Sequence, residues 1–272
     1  MKRVLALCLV GLFGCSRTDV STPTPTPVPV ATTSVTATPA PLGPQMPPPT
    51  FTGFPGWLGL AAVEGPGSDT TAPANANAHV ALTDPAGWAA TGGARLLALA
   101  PGHSEQVGYF TTQEIPFGCE GRKETFAFFK GKTRPPRGPV WLVSGGNVSV
   151  TAAVLAEDVK KTPTSRTWTI GERTFVSRLT ETAIVWEIWE GKTRVWQEVN
   201  KWTPMAGADD LKPSLEGGPA APIPRMVLTA DDTSLLVIEM DGFEGTNIQG
   251  ILLEKGSAKR AEGGLYLYWC AF

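Results

Sequence analysis

The main pattern along this chain is a short-range alternation of apolar and polar residues. It has a period of two residues in three segments, 148–154, 184–189 and 265–270. Successive side chains of a β-strand point to opposite faces of the sheet, so this period is what a strand requires. The segments are also rich in valine, isoleucine, tyrosine and tryptophan, which favour strands. The alternation therefore predicts three β-strands.

Further apolar stretches bounded by glycine, proline or aspartate predict additional strands. A hairpin is expected over 183–199, with its turn at Glu190, Gly191 and Lys192. One stretch, 153–161, has a helical pattern that Pro163 would end. The other strand candidates are 57–63, 94–100, 106–111, 125–130, 140–144, 166–170, 226–230, 234–240 and 248–254.

Many short strands separated by turn residues are typical of an antiparallel sandwich or barrel. We therefore predict the mainly β class, with one sandwich- or barrel-like domain over residues 51–272. A domain of this length can bury about 70% of its unfolded surface in a single core. If the domain has two lobes, the polar stretch 157–165 is the best boundary between them.

The N-terminus begins with two cationic residues, Lys2 and Arg3, followed by an uncharged apolar run from Val4 to Phe13. A helix needs about 20 apolar residues to cross the hydrocarbon of a membrane. This run is shorter and fits the apolar region of a secretory signal. The pattern predicts a signal peptide over residues 1–14 and export of the rest of the chain.

A tract rich in proline and threonine follows over residues 16–50, and its only charged residues are Arg17 and Asp19. Proline removes backbone donors and fixes φ, so helix and sheet cannot propagate through it. The expected state is a disordered, extended linker with about 3.1 Å per residue where it forms polyproline II. We interpret it as a spacer; a docking ligand or an acceptor of O-linked sugars are the alternatives.

The apolar run ends in Leu12-Phe13-Gly14-Cys15, which resembles the lipobox of bacterial lipoproteins. The resemblance implies cleavage before Cys15 and acylation of that residue, with Phe13 a departure from the usual small residue. Ser16 in place of aspartate implies sorting to the outer membrane, on its periplasmic face or at the cell surface. Two or more acyl chains are needed for stable anchoring. The alternative is a plain signal peptide with an incidental cysteine.

The net charge of the chain indicates which classes of partner it can bind. Removing Lys2 and Arg3 with the signal leaves 21 basic residues against 25 acidic ones. Nucleic acid requires a basic face, so this balance argues against nucleic-acid binding. The expected partners are the membrane, through the lipid anchor, and an envelope glycan or protein.

Two cysteines remain once Cys8 leaves with the signal and Cys15 carries lipid. Cys119 and Cys270 would then lie in a compartment where disulfides form. We predict that they form one bridge, which ties the middle of the domain to its last strand. Two free thiols are the alternative.

No short sequence motif identifies a catalytic residue. The tetrapeptide Gly-Lys-Thr-Arg occurs at 131–134 and 191–194, but a phosphate-binding loop needs an earlier glycine where Phe126 and Trp186 stand. Both copies are better interpreted as hairpin turns. His79 and His103 are isolated in the sequence, so we name no catalytic residue.

An acidic stretch near the C-terminus offers one candidate site. Asp231, Asp232, Asp241 and Glu244 could bind Ca²⁺ through their oxygen atoms, the only cofactor that the sequence suggests. Carboxylates of residues 231–244 could also serve glycoside hydrolysis, which needs two of them. Aspartate and glycine are also favoured in turns, which is the simpler interpretation.

Tryptophan is abundant, with nine residues in the chain. Four lie on or beside the predicted hairpin, and one face of that hairpin can pack in the core while the other offers a ring to solvent. Exposed rings can stack on sugars or bind a protein. The candidate ligand-binding residues are Trp186, Trp189, Trp196 and Trp202.

These observations favour a lipid-anchored envelope protein with a non-catalytic β domain. The domain would bind an envelope glycan or protein, or act as a structural module. Two alternatives stay open: an envelope hydrolase that uses the acidic stretch, and a subunit of an envelope secretion or assembly complex.

Overall fold

The computed structural model describes residues 46–64, 72–83, 87–88, 94–116, 123–145, 147–155, 164–201, 222–241 and 245–268. Seventeen β-strands occur in these ranges, and every pairing between strands is antiparallel. This confirms the predicted mainly β, sandwich- or barrel-like class. All described residues belong to one compact unit, 43–272.

The first six strands close into a barrel. Their order around it is β1-β2-β5-β4-β3-β6, with β6 pairing with β1 to complete the ring. The strands are β1 (Trp57–Ala61), β2 (Val80–Thr83), β3 (Arg95–Ala100), β4 (His103–Pro116), β5 (Lys123–Lys130) and β6 (Pro139–Val143).

The remaining strands form two sheets. The six-stranded sheet has the order β16-β15-β14-β13-β7, and β17 also pairs with β15. Its strands are β7 (Val148–Ala152), β13 (Pro222–Ala230), β14 (Thr233–Asp241), β15 (Gly245–Glu254), β16 (Ser257–Arg260) and β17 (Leu265–Tyr268). The five-stranded sheet has the order β12-β11-β10-β9-β8. Its strands are β8 (Val154–Leu155), β9 (Ser165–Ile170), β10 (Arg173–Leu179), β11 (Ala183–Glu190) and β12 (Thr193–Lys201).

Three apolar clusters hold these parts in layers. The barrel core fills the inside of the barrel with side chains such as Trp57, Trp88 and Phe129. The intermediate core joins the outside of the barrel, including Trp141, to one face of the six-stranded sheet. The sandwich core, which includes Trp186, lies between the other face of that sheet and the five-stranded sheet. The order of layers is therefore barrel, six-stranded sheet, five-stranded sheet.

Strand β14 explains why the six-stranded sheet is the middle layer. Leu235 and Val237 belong to the intermediate core, whereas Leu236 and Ile238 belong to the sandwich core. All four side chains are fully buried. A strand with both faces covered needs a continuous apolar run rather than an alternation.

The chain passes from the six-stranded sheet to the five-stranded sheet within one residue. Only Ala153 separates β7 from β8. The helical pattern over 153–161 is wrong where the structure describes it, because Val154 and Leu155 pair with β9. Most of the proposed boundary at 157–165 lies outside the described residues, and its last residue, Ser165, begins β9. The last barrel strand, β6, ends at Val143, and the first strand of the two sheets, β7, begins at Val148.

No helix in the described part of the chain is long and apolar enough to cross a membrane.

Candidate functional site

Several of the candidate residues lie outside the described residues. These are Cys15, Cys119, Cys270, Trp202 and Glu244. The predicted lipidation and the predicted disulfide therefore stay predictions.

The three described tryptophans of the hairpin lie in different surroundings. Trp186 is 2% exposed in the sandwich core, so it has no surface to offer a ligand. Trp196 packs against the same core. Trp189 points to the opposite face of the sheet, where it is half-buried. Pairing register turns Trp186 and Trp196 toward the sandwich core. The buried Trp186 is not accessible to a ligand, whereas Trp196 is half-buried like Trp189 and its role stays a prediction.

A β-bulge in the hairpin contributes to this arrangement. The pairing register shifts between Ile188 and Trp189, so one residue of β12 is inserted opposite them. As a result, Val195 and Trp196 both pack against the sandwich core although they are consecutive. Arg194 is then the partner of Trp189 on the outward side.

The outward side of the five-stranded sheet carries a buried carboxylate. Glu187 on β11 is 1% exposed. Arg178 Nη2 donates a hydrogen bond to Glu187 Oε2, and Arg194 Nη1 donates to Glu187 Oε1 at 3.0 Å. Trp189 Nε1 also donates to Glu187 Oε2, at 3.2 Å. One acid thus positions three neighbouring side chains.

Opposing effects act on the ionisation of Glu187. Burial raises the pKa of this carboxyl group, but the hydrogen bonds from Arg178, Arg194 and Trp189 together outweigh burial, so the pKa is lower than its ordinary value. Glu187 is therefore an anion at neutral pH. Its role is to hold the two guanidinium groups rather than to exchange protons.

We call the outward side of β9–β12 the outer face and define it by six residues that alternation and register place there. Three of them are basic and one is acidic, and all the basic side chains are exposed. Val199, also on this face, is 51% exposed. The defining residues are Arg178, Glu187, Trp189, Arg194, Val199 and Lys201.

The described carboxylates of the acidic stretch, Asp231, Asp232 and Glu239, do not come together. Asp231 and Asp232 form the turn between β13 and β14, and Asp231 has a φ of 49° there. Glu239 lies near the far end of β14 and pairs with Arg225 at 2.8 Å. Asp232 and Glu239 are seven residue steps apart along an extended chain, which is about 23 Å at 3.3 Å per step. Backbone turn chemistry therefore accounts for Asp231 and Asp232.

Metal binding has no support in the described part of the chain, where no group of three or more His, Cys, Asp or Glu side chains could hold an ion. The side chain of Asp241 is outside the described residues. Hydrolysis of a glycosidic bond needs two carboxylates about 5–10 Å apart, and Asp232 and Glu239 do not meet that requirement.

A cleft of about 650 Å³ opens at one end of the sandwich, among the turns that carry Glu172, Gly191 and Asp232. Arg173 Nε donates to Glu190 Oε1 at 2.7 Å, and the Gly256 N–H donates to Glu190 Oε2 at 3.1 Å. Because Gly256 follows β15, these bonds tie the two sheets together. The hydrogen bond from Arg173 is the largest cause of the lowered pKa of Glu190. Glu190 is thus a structural anion and not a proton donor.

The two Gly-Lys-Thr-Arg segments differ in structure. The copy at 191–194 forms the β11–β12 hairpin turn, with Gly191 at a φ of 56°. The copy at 131–134 connects β5 to β6, which are not neighbours in the barrel, so the hairpin interpretation is wrong there. Glu105 holds this second segment by accepting hydrogen bonds from the N–H groups of Lys132 and Thr133 and from the Thr133 hydroxyl.

Sequence reasoning missed the group around Glu187. The available signal was one acid between Trp186 and Ile188, inside a strand that is otherwise apolar up to its last residue, Glu190. The alternation places Glu187 on the outward side, but its partners come from β10 and β12. Pairing register, which brings Arg178 and Arg194 to it, cannot be read from one strand.

Comparison of the chain with protein-family models, with curated proteins and with solved structures finds no match.

Proposed function

We propose that this chain is a lipid-anchored protein of the bacterial envelope whose β domain binds an envelope glycan without catalysing a reaction. The anchor is the acylated Cys15, the spacer is the proline- and threonine-rich tract, and the binding surface is the outer face. Support for the anchor comes from the lipobox-like ending of the signal. Support for the binding surface comes from the contacts of Glu187.

The observation that carries the proposal is the fixed orientation of three ligand-type side chains on an open sheet face. Glu187 binds two arginines and the indole of Trp189 at once. Arg178 and Arg194 remain 48% and 45% exposed. Groups that are held in place before binding lose less conformational entropy when a ligand arrives. A core would not need such an arrangement, because apolar residues fill it at lower cost.

The position of the spacer supports the same function. Met46 packs against the barrel core, and Trp57 Nε1 donates hydrogen bonds to the carbonyls of Pro47 and Pro48 at 3.0 and 2.9 Å. The last residues of the spacer, 46–48, therefore contact the barrel layer. The outer face belongs to the five-stranded sheet, on the other side of the six-stranded sheet. The six-stranded sheet therefore lies between the outer face and the layer that the end of the spacer contacts.

The anchor is tested by expressing the full-length chain and its Cys15→Ser variant in a bacterial host. We expect the unaltered chain to incorporate labelled palmitate and to sediment with outer membranes. The Cys15→Ser variant should do neither, because no thiol is available for the acyl chains. Equal membrane association of both proteins without label would contradict the anchor.

Binding is tested with the mature chain from residue 15, carrying Cys15→Ser so that it is free of lipid. Co-sedimentation with sacculi and envelope polysaccharides is measured together with tryptophan fluorescence and release of product. Trp189→Ala should weaken binding about tenfold or more, as removal of a central aromatic residue does at other interfaces. The matched control is Phe110→Ala, which removes an aromatic ring that is 44% exposed on the barrel.

Each of the other outcomes favours a different function. Release of product would favour a hydrolase, which the separation of Asp232 from Glu239 does not support. Absence of binding to every glycan would overturn the glycan ligand and favour a role as a subunit of an envelope complex. Equal loss of binding in Trp189→Ala and Phe110→Ala would place the binding surface elsewhere.

A further inference from the structure

The outer face has a charge opposite to that of the whole protein. The chain has a net charge of −2. Among the strand positions that the structure describes on the outer face, Arg178, Arg194 and Lys201 are basic and Glu187 alone is acidic. A local excess of positive charge on an acidic protein attracts an anion and fixes its position on the surface.

The charge of Glu187 does not cancel this excess at the surface. The carboxylate is buried, whereas the guanidinium groups above it are nearly half exposed. Arg178 and Arg194 each give Glu187 one N–H group in the described contacts. A guanidinium has five N–H donors in a fixed fork, so each arginine keeps donors for a second acceptor. Glu187 fixes their direction in the way that a supporting partner orients a ligand-binding group.

The shape of the surface indicates an extended ligand. The outer face is a broad sheet surface and not a pocket, and half-buried Trp189 lies beside the two arginines. An indole ring offers an apolar surface against which a sugar ring can stack. Guanidinium groups pair with carboxylates through two parallel hydrogen bonds. A chain of acidic sugars satisfies both kinds of group at once.

We propose that the outer face binds a polysaccharide whose sugars carry carboxylate groups. This inference rests on the proposed function and names its ligand class. Arg178 and Arg194 pair with the ligand's carboxylates, Lys201 extends the positive surface, and Trp189 stacks on a sugar ring. Glu187 is a positioning residue that does not touch the ligand.

The experiment uses the mature chain from residue 15 with Cys15→Ser, and polygalacturonate as the probe. The matched probe is the same polymer with its carboxyl groups methyl-esterified, which removes the charge and keeps the sugar chain. We expect the acid form to bind at least about tenfold more tightly than the ester, because hydrogen bonds to charged groups are the stronger ones. Added salt should weaken binding of the acid form by screening.

Two variants place the binding on the outer face. Arg194→Gln removes one guanidinium and leaves Arg178 to pair with Glu187, and it should weaken polygalacturonate binding about tenfold. Val199→Glu adds a negative charge at an exposed position that pairs with Val185 and not with Glu187, and it should weaken binding to a similar extent. The matched control is Arg260→Gln, because Arg260 is 47% exposed and pairs with Glu198 away from this face.

The outcomes separate this inference from the proposed function. Equal binding of the acid and the ester, with loss in Trp189→Ala, would overturn carboxylate recognition and leave a neutral-glycan module. Binding of the acid that Val199→Glu does not weaken would also overturn the inference. If neither polymer binds but sacculi do, the ligand class is wrong and the glycan function stands. Absence of binding to sacculi and to all glycans would overturn both.

Discussion

At the scale of the residue, buried charge has the clearest consequences. Glu187 is almost fully buried and accepts three side-chain hydrogen bonds. A buried anion costs free energy unless its hydrogen bonds are satisfied. The partners of Glu187 therefore determine both the stability of the hairpin and the shape of the outer face.

Replacing Glu187 by glutamine should destabilise the protein. Glu187→Gln removes the charge that both arginines share, and we expect the free energy of unfolding to fall by about 2 kcal/mol. Urea unfolding at pH 7 measures this change. Glu198→Gln is the matched control, since it breaks the exposed pair with Arg260, and its loss should stay below about 1 kcal/mol. Equal losses in the two variants would contradict the role of Glu187.

The ionisation of Glu105 predicts how the stability of the protein depends on pH. Hydrogen bonding to the Thr133 hydroxyl, with smaller contributions from the N–H groups of Thr133 and Lys132, lowers the pKa of Glu105 from 4.5 to about 2. A carboxyl group with a lowered folded-state pKa stabilises the protein above its unfolded pKa, and this contribution is lost as the pH falls toward the folded value. The unaltered chain should thus be more stable than Glu105→Gln above about pH 4.5, and the difference should shrink as the pH falls.

Urea unfolding of the unaltered chain and of Glu105→Gln, compared at pH 7, 5 and 3, measures that difference. Nearby His79 also has a pKa lowered chiefly by burial, and the charge of Glu105 opposes that lowering. Glu105→Gln therefore also changes the ionisation of His79, and the comparison of pH 5 with pH 3 is the one that tests Glu105 itself. A difference that grows at low pH would contradict the hydrogen bonds of Glu105.

At the scale of the element, the strands with strong apolar patterns were the predictable ones. The hairpin β11–β12 forms as predicted, with its turn at Gly191 and Lys192. Four strands were missed: β2, β8, β10 and β16, and the two-residue β8 lies where a helical pattern was expected. β2 has only four residues, β10 carries two arginines, and the edge strand β16 reads Ser-Ala-Lys-Arg. Their pairing with neighbouring strands, and not their own pattern, makes them strands.

Two glycines with positive φ differ in how closely another segment of the backbone approaches them, and comparing their alanine variants measures the effect of that close approach. At Gly263, with a φ of 107°, an added Cβ would lie 2.0 Å from the carbonyl oxygen of Thr50. At Gly102, with a φ of 71°, an added Cβ meets nothing within 4 Å. Gly102→Ala should therefore cost only about 1 kcal/mol, from the unfavourable φ.

Gly263→Ala should cost at least about 2 kcal/mol more, because the backbone at Phe51 must also move. Thermal unfolding of both variants measures the difference. If the two variants unfold at the same temperature, the close approach of Thr50 to Gly263 does not constrain the protein.

At the scale of the whole molecule, the shared cores predict cooperative unfolding. The intermediate core contains barrel residues such as Trp141 and sheet residues such as Leu235 in one cluster. Leu235→Ala should lower the free energy of unfolding by about 2–5 kcal/mol. Because the lost contacts span both parts, the far-ultraviolet circular dichroism and the tryptophan fluorescence should report one shifted transition. Two transitions, with only one of them shifted, would contradict a common core.

The sequence by itself determined the class of fold, most strand positions and the hairpin, because period-two patterning and turn residues are local properties. It also determined the predictions of export, lipid anchor and spacer, which depend on contiguous residues near the N-terminus. The tertiary structure decided how these strands are distributed among a barrel and two sheets. It also decided which tryptophan lies outward and which residues surround Glu187. These features depend on register and on layer order, which join residues far apart in the chain.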